Sequence, residues 1–330
     1  PILSFADRNV NAWINKMDFK RVDYGLHTAW YNFRGRNERL VSNIQHGFNR
    51  KYELFYKIPQ INKKQNLGLD LGVSYFQSHY LDFANIDAKP QTLRLENRFP
   101  INRKYIRVGL INRNTAENIN NLRFEINQQS INDSVLKLNP VYHKTGKQKT
   151  FLQIEYSKVL NKRRNFSYPI SGSFLEFAFR QRFFFENGES SSSRVQLLYS
   201  KYIPLSERFF YSANLNGQYT FVENISTSEN IALGYSHNIR GFDYYVVNGQ
   251  HFATFKQNIS VLLIDNKKIK LNFIPSEKFN EIPLSIYYTF FTDGGYVFDN
   301  EYSKINPISN TYIYSVGTGI HFVSYYDQVF

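Results

Sequence analysis

Residues 211–221 read Tyr-Ser-Ala-Asn-Leu-Asn-Gly-Gln-Tyr-Thr-Phe. Taken every second residue, Tyr211, Ala213, Leu215, Gly217, Tyr219 and Phe221 form one face, and Ser212, Asn214, Asn216, Gln218 and Thr220 the other. Period-2 alternation of this kind marks a strand with one greasy and one wet side. Neither a helix nor the doubly buried strand of a parallel sheet carries such a pattern. The same alternation recurs along the chain at residues 24–33, 52–58, 67–77, 104–111, 150–159, 173–183, 194–202, 252–263, 282–293 and 313–322, with weaker segments at 2–14, 40–49 and 91–99. The total is fourteen strands, with Gln328-Val329-Phe330 as the opening of a fifteenth. Segments of about 9–11 residues match a tilted bilayer crossing, and the connections alternate short and long as they do in outer-membrane barrels.

Composition agrees. The 330 residues hold 30 Phe and 25 Tyr but one Met, and aromatic residues both favour strands and line the two rims of membrane barrels. Mean hydropathy is −0.45, and no apolar run approaches the roughly 20 residues of a membrane-spanning helix. An alternating barrel wall averages out polar, so the low value is compatible with a bilayer. With no cysteine, disulfides, thiolate metal sites and cysteine nucleophiles are excluded. The seven His show no ligand spacing, so no metal is expected. Gly234-Tyr235-Ser236-His237 departs from the nucleophile-elbow pattern at Asn238, and no catalytic constellation is expected.

The formal charge is +13, yet the cations are dispersed, with short clusters at Lys63-Lys64, Lys162-Arg163-Arg164 and Lys267-Lys268 that all fall between strands. This distribution argues against nucleic acid as a partner and for solvated turns or contact with anionic lipid and lipopolysaccharide headgroups. Residues 112–148, rich in Asn, read as one extended loop with room for a small hairpin. On the wet faces, Arg94, Glu96, Arg98, Arg107, Glu155, Glu176, Arg180 and Arg182 are expected to point into a hydrated lumen as cross-strand pairs or a selectivity lining. Trp13 and Trp30 are expected at the rims.

Two landmarks stand apart. Ile239-Arg240-Gly241-Phe242 lies in the long connection after the eleventh strand. Phe291-Thr292-Asp293-Gly294-Gly295-Tyr296-Val297 lies two strands later, where parity places Asp293 in the lumen. Together with the turn Tyr168-Pro169-Ile170-Ser171-Gly172, these motifs resemble the BamA/TamA family of outer-membrane assembly and translocation barrels, which takes in the two-partner-secretion transporters. The resemblance covers nearly the whole chain, the first seven strands in pattern only. It implies an all-β, transmembrane antiparallel barrel of sixteen strands, about fourteen to fifteen of them here, in the bacterial outer membrane. It further implies that the long loop folds into the pore, where Arg240 meets Asp293 as a latch, and that a weak seam between first and last strands admits client strands. Client outer-membrane or secreted proteins are then the expected partners, with periplasmic or lipoprotein subunits beside them and no cofactor. The family's periplasmic POTRA domains and the last strands are not found within residues 1–330, so the expectation is a barrel domain taken from a longer protein. A passive or ligand-specific pore is the alternative function.

Overall fold

The computed structural model describes residues 1–5, 13–14, 17, 21–270 and 280–324. Fourteen strands form one continuous antiparallel sheet: β1 (Ile2–Phe5), β2 (Val22–Phe33), β3 (Glu38–Gly47), β4 (Asn49–Ile58), β5 (Leu67–Ser78), β8 (Ile101–Thr115), β9 (Asn118–Ile131), β10 (Gln148–Asn161), β11 (Gly172–Phe184), β12 (Ser192–Pro204), β13 (Phe209–Phe221), β16 (His251–Lys270), β17 (Glu281–Phe298) and β18 (Tyr312–Val323). Every neighbour in the sheet is also the next wall strand in the chain, which is the up-and-down topology of a barrel wall. Two small hairpins lie outside the wall: β6 (Tyr80–Ile86) with β7 (Lys89–Arg94), and β14 (Ile231–Leu233) with β15 (Val247–Asn248). A short helix, Asp133–Leu138, is capped by Asn132, whose side chain accepts from the Ser134 backbone N–H.

The alternation behaves as a membrane wall requires. On β13, Leu215, Tyr219 and Phe221 are exposed while Gln218 and Thr220 are buried. On β17, Tyr288 and Phe290 face out while Tyr287, Thr289 and Asp293 are buried. A water-soluble protein reverses this arrangement; here the apolar face meets lipid and the polar face fills the interior.

Among the described residues the wall strands number fourteen, but one expected crossing is absent and an unexpected one takes its place. Residues 91–99 are not a crossing. β7 ends at Arg94 and pairs with β6, and Glu96 and Arg98 sit in the irregular segment beyond it. All three charges are exposed and stand outside the wall, so they are not lumen lining. Their alternation is that of a strand, but a surface hairpin and a bilayer crossing share a period of two.

The missing crossing is β9, hidden in the Asn-rich segment that reads as an extended loop. It pairs with β8 and β10 over its whole length. Its lipid face is apolar only at Leu122, Phe124 and Ile126, flanked by Asn120 and Gln128, so the greasy stripe is too short to announce a strand. Of the first strand only Ile2–Phe5 is described as such; residues 6–12 of the expected first strand and the expected opening of a fifteenth at 328–330 lie outside the described residues. Trp30 is exposed, as a rim or lipid contact requires, and Trp13 packs its ring on Phe5 at 4.3 Å.

The connections fall into two sets. One end of the barrel carries the short turns 34–37, 59–66, 116–117, 162–171 and 205–208, and the other the longer excursions 79–100, 132–147, 222–250 and 299–311. In outer-membrane barrels short turns face the periplasm and long loops face outward.

The placement of β9 is testable on its lipid face. Ile126→Arg should destabilise the refolded barrel by about 2–4 kcal/mol, the cost of a cation near mid-bilayer. Arg94→Ala, on the surface hairpin, should change stability by no more than ~0.5 kcal/mol. Denaturant unfolding in phospholipid vesicles reads both.

Candidate functional site: a loop pinned inside the barrel

The 222–250 loop does not stand in solvent. Its middle folds into the lumen, where Arg240 grips Asp293 on β17. The guanidinium Nε donates to Asp293 Oδ2 at 2.8 Å and Nη2 to Oδ1 at 2.5 Å, while the backbone N–H of Arg240 adds a third bond at 3.2 Å. This two-pronged grip is the geometry that Arg, and not Lys, supplies to a carboxylate. Nη1 donates to Asn258 Oδ1 at 2.7 Å on β16, and the guanidinium lies 3.8 Å from the centre of the Phe291 ring. Asp293 has a side chain 0 % exposed, against 33 % for Arg240. The carboxylate is therefore committed to this partner, while part of the cation still meets lumen water.

Small residues make the room. A Cβ on Gly317 would fall 2.6 Å from the Phe291 ring, so the ring beneath Arg240 can lie flat against β18 only if that position is glycine. A Cβ on Gly295 would strike Ile239 at 2.7 Å. Gly241 sits at φ +83°, where the chain reverses after the arginine. Gly294 lies on the opposite, outward parity and takes no part in the grip.

On the loop side of the ion pair the loop has an apolar seat. Ile239, Ala232, Leu233 and Val247 from the loop pack with Phe252, Val297 and Ile313 from the wall, and Phe242 packs against this cluster. Phe252, Val297 and Ile313 occupy lumen-parity positions. Apolar residues there are the signal in the sequence that could have located the loop's seat.

The sequence reading missed a second anchor at the start of the loop. Glu229 receives Lys149 Nζ at 2.9 Å and is paired with Arg182, while Arg194 donates to the Glu229 backbone carbonyl at 3.3 Å. Lys149 is fully buried and also bonds Ser228 at 3.0 Å. Burial would raise the Glu229 pKa, but the cations Arg182, Lys149 and Arg194 outweigh it and hold the carboxyl well below the usual range. His143 beside them is buried and has its pKa lowered to about 3, by desolvation first and by Lys149 second, so it stays neutral. Arg182 therefore ties a loop to the wall, in addition to donating to Gln153 at 2.8 Å.

Arg107, Glu155 and Arg180 of the other expected lumen charges form cross-strand pairs. Arg180 donates to Glu155 at 2.7 Å, Arg123 to the same carboxylate at 3.3 Å, and Arg107 to Asp70 at 3.3 Å. Glu176 lies on the same face of β11, half-buried. Arg123 and Asp70 went unrecognised, the first because its strand was read as loop.

The mouth on the loop side is covered. The β6–β7 hairpin leans over the long loop: Val246 N donates to Ala88 O at 2.8 Å and Asn85 Nδ2 to Val246 O at 2.5 Å. Ala88, at the hairpin tip, is fully buried, and the backbone N–H of neighbouring Asp87 donates to Ile305 O at 2.9 Å.

At the opposite end the turn containing Pro169 folds inward. Tyr168 reaches across the lumen to His321 Nδ1 on β18 at 3.0 Å, with its ring 4.7 Å from that of Tyr287. Ile170 and Tyr168 pack against Phe210, Leu262, Tyr287 and Val323. Pro169 lines the cavity of about 160 Å³ that remains beside them, and Gly172 opens β11 at φ +103°.

An in-pore loop pinned by Arg240 to a buried aspartate of the thirteenth wall strand, in an outward-greasy β wall, agrees with a comparison across protein families, in which the Omp85 superfamily domain matches residues 32–324. The chain belongs to the Omp85 superfamily. It is an integral outer-membrane β-barrel of the BamA/TamA kind. Similar solved structures include BamA from Haemophilus ducreyi lacking POTRA domains 1–3, at 14 % identity and TM-score 0.65, with 92 % of this chain and 62 % of that one covered. CdiB from Escherichia coli matches at 13 % identity and TM-score 0.56 over 92 % of this chain and 53 % of that one. CdiB from Acinetobacter baumannii matches at 14 % and 0.53, over 91 % and 50 %. At such identities these matches speak to the fold, and the chain spans between half and two-thirds of the length of each. A comparison with curated protein sequences returns no match.

Two outcomes follow from this geometry. Arg240→Ala should cost about 2–3 kcal/mol, less than the ~3–5 of a fully buried pair because part of the guanidinium is hydrated. The double variant with Asp293→Asn should recover part of that loss, and a double-mutant cycle by denaturant unfolding measures the coupling. Glu229, with its lowered pKa, contributes stability that is complete above the unfolded-state value near ~4.3 and fades only as pH falls toward its folded value. Protection of residues 222–250 from added protease should thus be equal at pH 7 and pH 5 in the native chain and reduced at both in Glu229→Gln.

Proposed function

We propose that this barrel inserts proteins into, or translocates them across, the outer membrane, acting by conformational gating with no covalent catalytic step. The observation that carries the reading is the long loop held inside the lumen by Arg240 on Asp293. A general diffusion pore works best with its interior clear, whereas here the interior is filled by a loop held with a specific, breakable ion pair, an aromatic platform and a fitted apolar seat. Such a loop is a two-state element: released, it opens the lumen or loosens the wall strands β16, β17 and β18 that hold it. Membership of the Omp85 superfamily supports the same reading.

In this reading the loop acts as the latch, and Arg240, Gly241, Phe242 and Asp293 are its working residues, with Gly294, Gly295, Pro169 and Gly172 shaping the backbone around it. Client strands would join the barrel at the seam between its first and last strands by β-augmentation. The partners are client outer-membrane or secreted proteins, with periplasmic or lipoprotein subunits as accessory components.

Depleting the protein and cataloguing the outer-membrane and secreted proteins tests the proposal. Loss of a defined set of membrane or secreted proteins is the expected result. Unchanged inventories with altered solute uptake would instead make it a pore. Complementation with Arg240→Ala should restore the barrel to the membrane and fail to restore the client set; wild-type client levels in that strain would remove the latch from the mechanism.

A further inference from the structure

The basic clusters are not spread evenly over the two ends of the barrel. Among the described connecting segments on the short-turn side, seven cations are exposed: Arg34, Arg36, Lys63, Lys64, Lys162, Arg164 and Arg208, of which Arg34 is already paired with the buried Glu38, against two exposed carboxylates, Glu117 and Glu207. Lys267, Lys268 and Lys270 extend the set at the end of β16, beside the exposed Asp265 and with Lys268 approaching Glu281 at 3.6 Å. The described connecting segments of the loop side expose six cations and five carboxylates. Most of the chain's positive excess that reaches solvent in its connections therefore lies on one rim.

The cations are set at a definite depth. Each group adjoins an exposed apolar side chain of the wall or turn: Trp30 before Arg34, Ile61 before Lys63, Phe166 after Arg164, Leu205 and Phe209 on either side of Arg208, and Ile269 within the β16 group. Apolar bodies in hydrocarbon with cationic ends just beyond them match the level of lipid phosphates. The groups also recur on turns right around the wall, between β2 and β3, β4 and β5, β10 and β11, and β12 and β13. A folded acidic partner would select a one-sided patch. A ring is what a membrane leaflet meets.

We infer that the short-turn rim is a collar for anionic glycerophospholipid headgroups of the periplasmic leaflet, of the phosphatidylglycerol type. This relocates the expected headgroup contact. Lipopolysaccharide occupies the outer leaflet, at the long-loop end, and the clusters at 63–64, 162–164 and 267–268 all lie at the other rim. The collar would anchor the barrel's height and tilt by contacts that are electrostatic and sensitive to salt. It does not depend on the insertion reading.

The test uses the purified chain in neutral detergent, titrated with phosphatidylglycerol, phosphatidylcholine or lipopolysaccharide, with bound lipid counted by native mass spectrometry. Phosphatidylglycerol should bind at least about tenfold more tightly than phosphatidylcholine, and raised salt should erode the preference. The quadruple variant Lys63→Gln, Lys64→Gln, Lys267→Gln, Lys268→Gln should lose most of it, while Lys89→Gln with Lys137→Gln and Lys304→Gln at the loop rim should keep it. Heat-modifiable gel mobility checks that each variant is folded, and Lys162→Gln with Arg164→Gln offers a second, independent lesion on the same rim. Equal binding of the two phospholipids, or an undiminished preference in both rim variants, overturns the collar. So does lipopolysaccharide displacing phosphatidylglycerol from the native chain but not from the loop-rim variant. Binding of poly-glutamate in place of phosphatidylglycerol, abolished by the quadruple variant, would overturn it in favour of an acidic protein partner.

Discussion

A carboxylate removed from water inside a barrel must be given a cation, and much of this molecule follows from that one requirement at Asp293. Left alone it would be too costly to keep charged. Lys256 stands opposite it on β16, but the guanidinium that grips it arrives from a loop, and the loop must then lie within the lumen. Once there it needs a surface to rest on. That need explains the apolar residues Phe252, Val297 and Ile313 on faces that are otherwise polar, and the glycines at 295 and 317 that let Ile239 and Phe291 close up. The pair is one interaction, but the wall sequence of three strands is shaped around it.

The lumen as a whole obeys the same economy. Its charges are neutralised across neighbouring strands, as at Arg107 with Asp70 and Arg180 with Glu155, or between wall and loop, as at Arg182 with Glu229. Pairs of the first kind join wall strands; those of the second kind hold a loop to the wall. Arg240 with Asp293 and Lys149 with Glu229 grip the middle and the start of one loop, so release at either point alone would leave the other holding. The β6–β7 hairpin above and the Tyr168 turn below narrow the two openings by quite different means, backbone hydrogen bonds in one case and aromatic packing in the other.

The wall was largely legible because a half-lipid, half-lumen strand writes its environment into alternate residues, and β13, β5 and β17 do so without interruption. The same rule misled at two places. β7 alternates without crossing the bilayer, and β9 crosses with only three apolar residues on its lipid face, so local pattern lacked the length to separate them. The Arg240 pair was legible through the resemblance carried by the motifs at 239–242 and 291–297, with strand parity placing Asp293 in the lumen. Asn258 as third partner, the Lys149–Glu229 anchor and the crossing from Tyr168 to His321 were not legible. Each joins residues between 18 and 153 positions apart through side chains that any polar loop or turn could carry.

By itself, the sequence determined that the chain is a membrane wall and that Asp293 lies on its lumen side, because strand parity is a local property; the resemblance carried by short motifs pointed to Arg240. Only the tertiary structure decided which segments are crossings and which are caps, which rim holds the basic clusters, and how the loop is anchored twice. Those depend on closure of the sheet, which brings distant strands together at a register that no local stretch of residues contains.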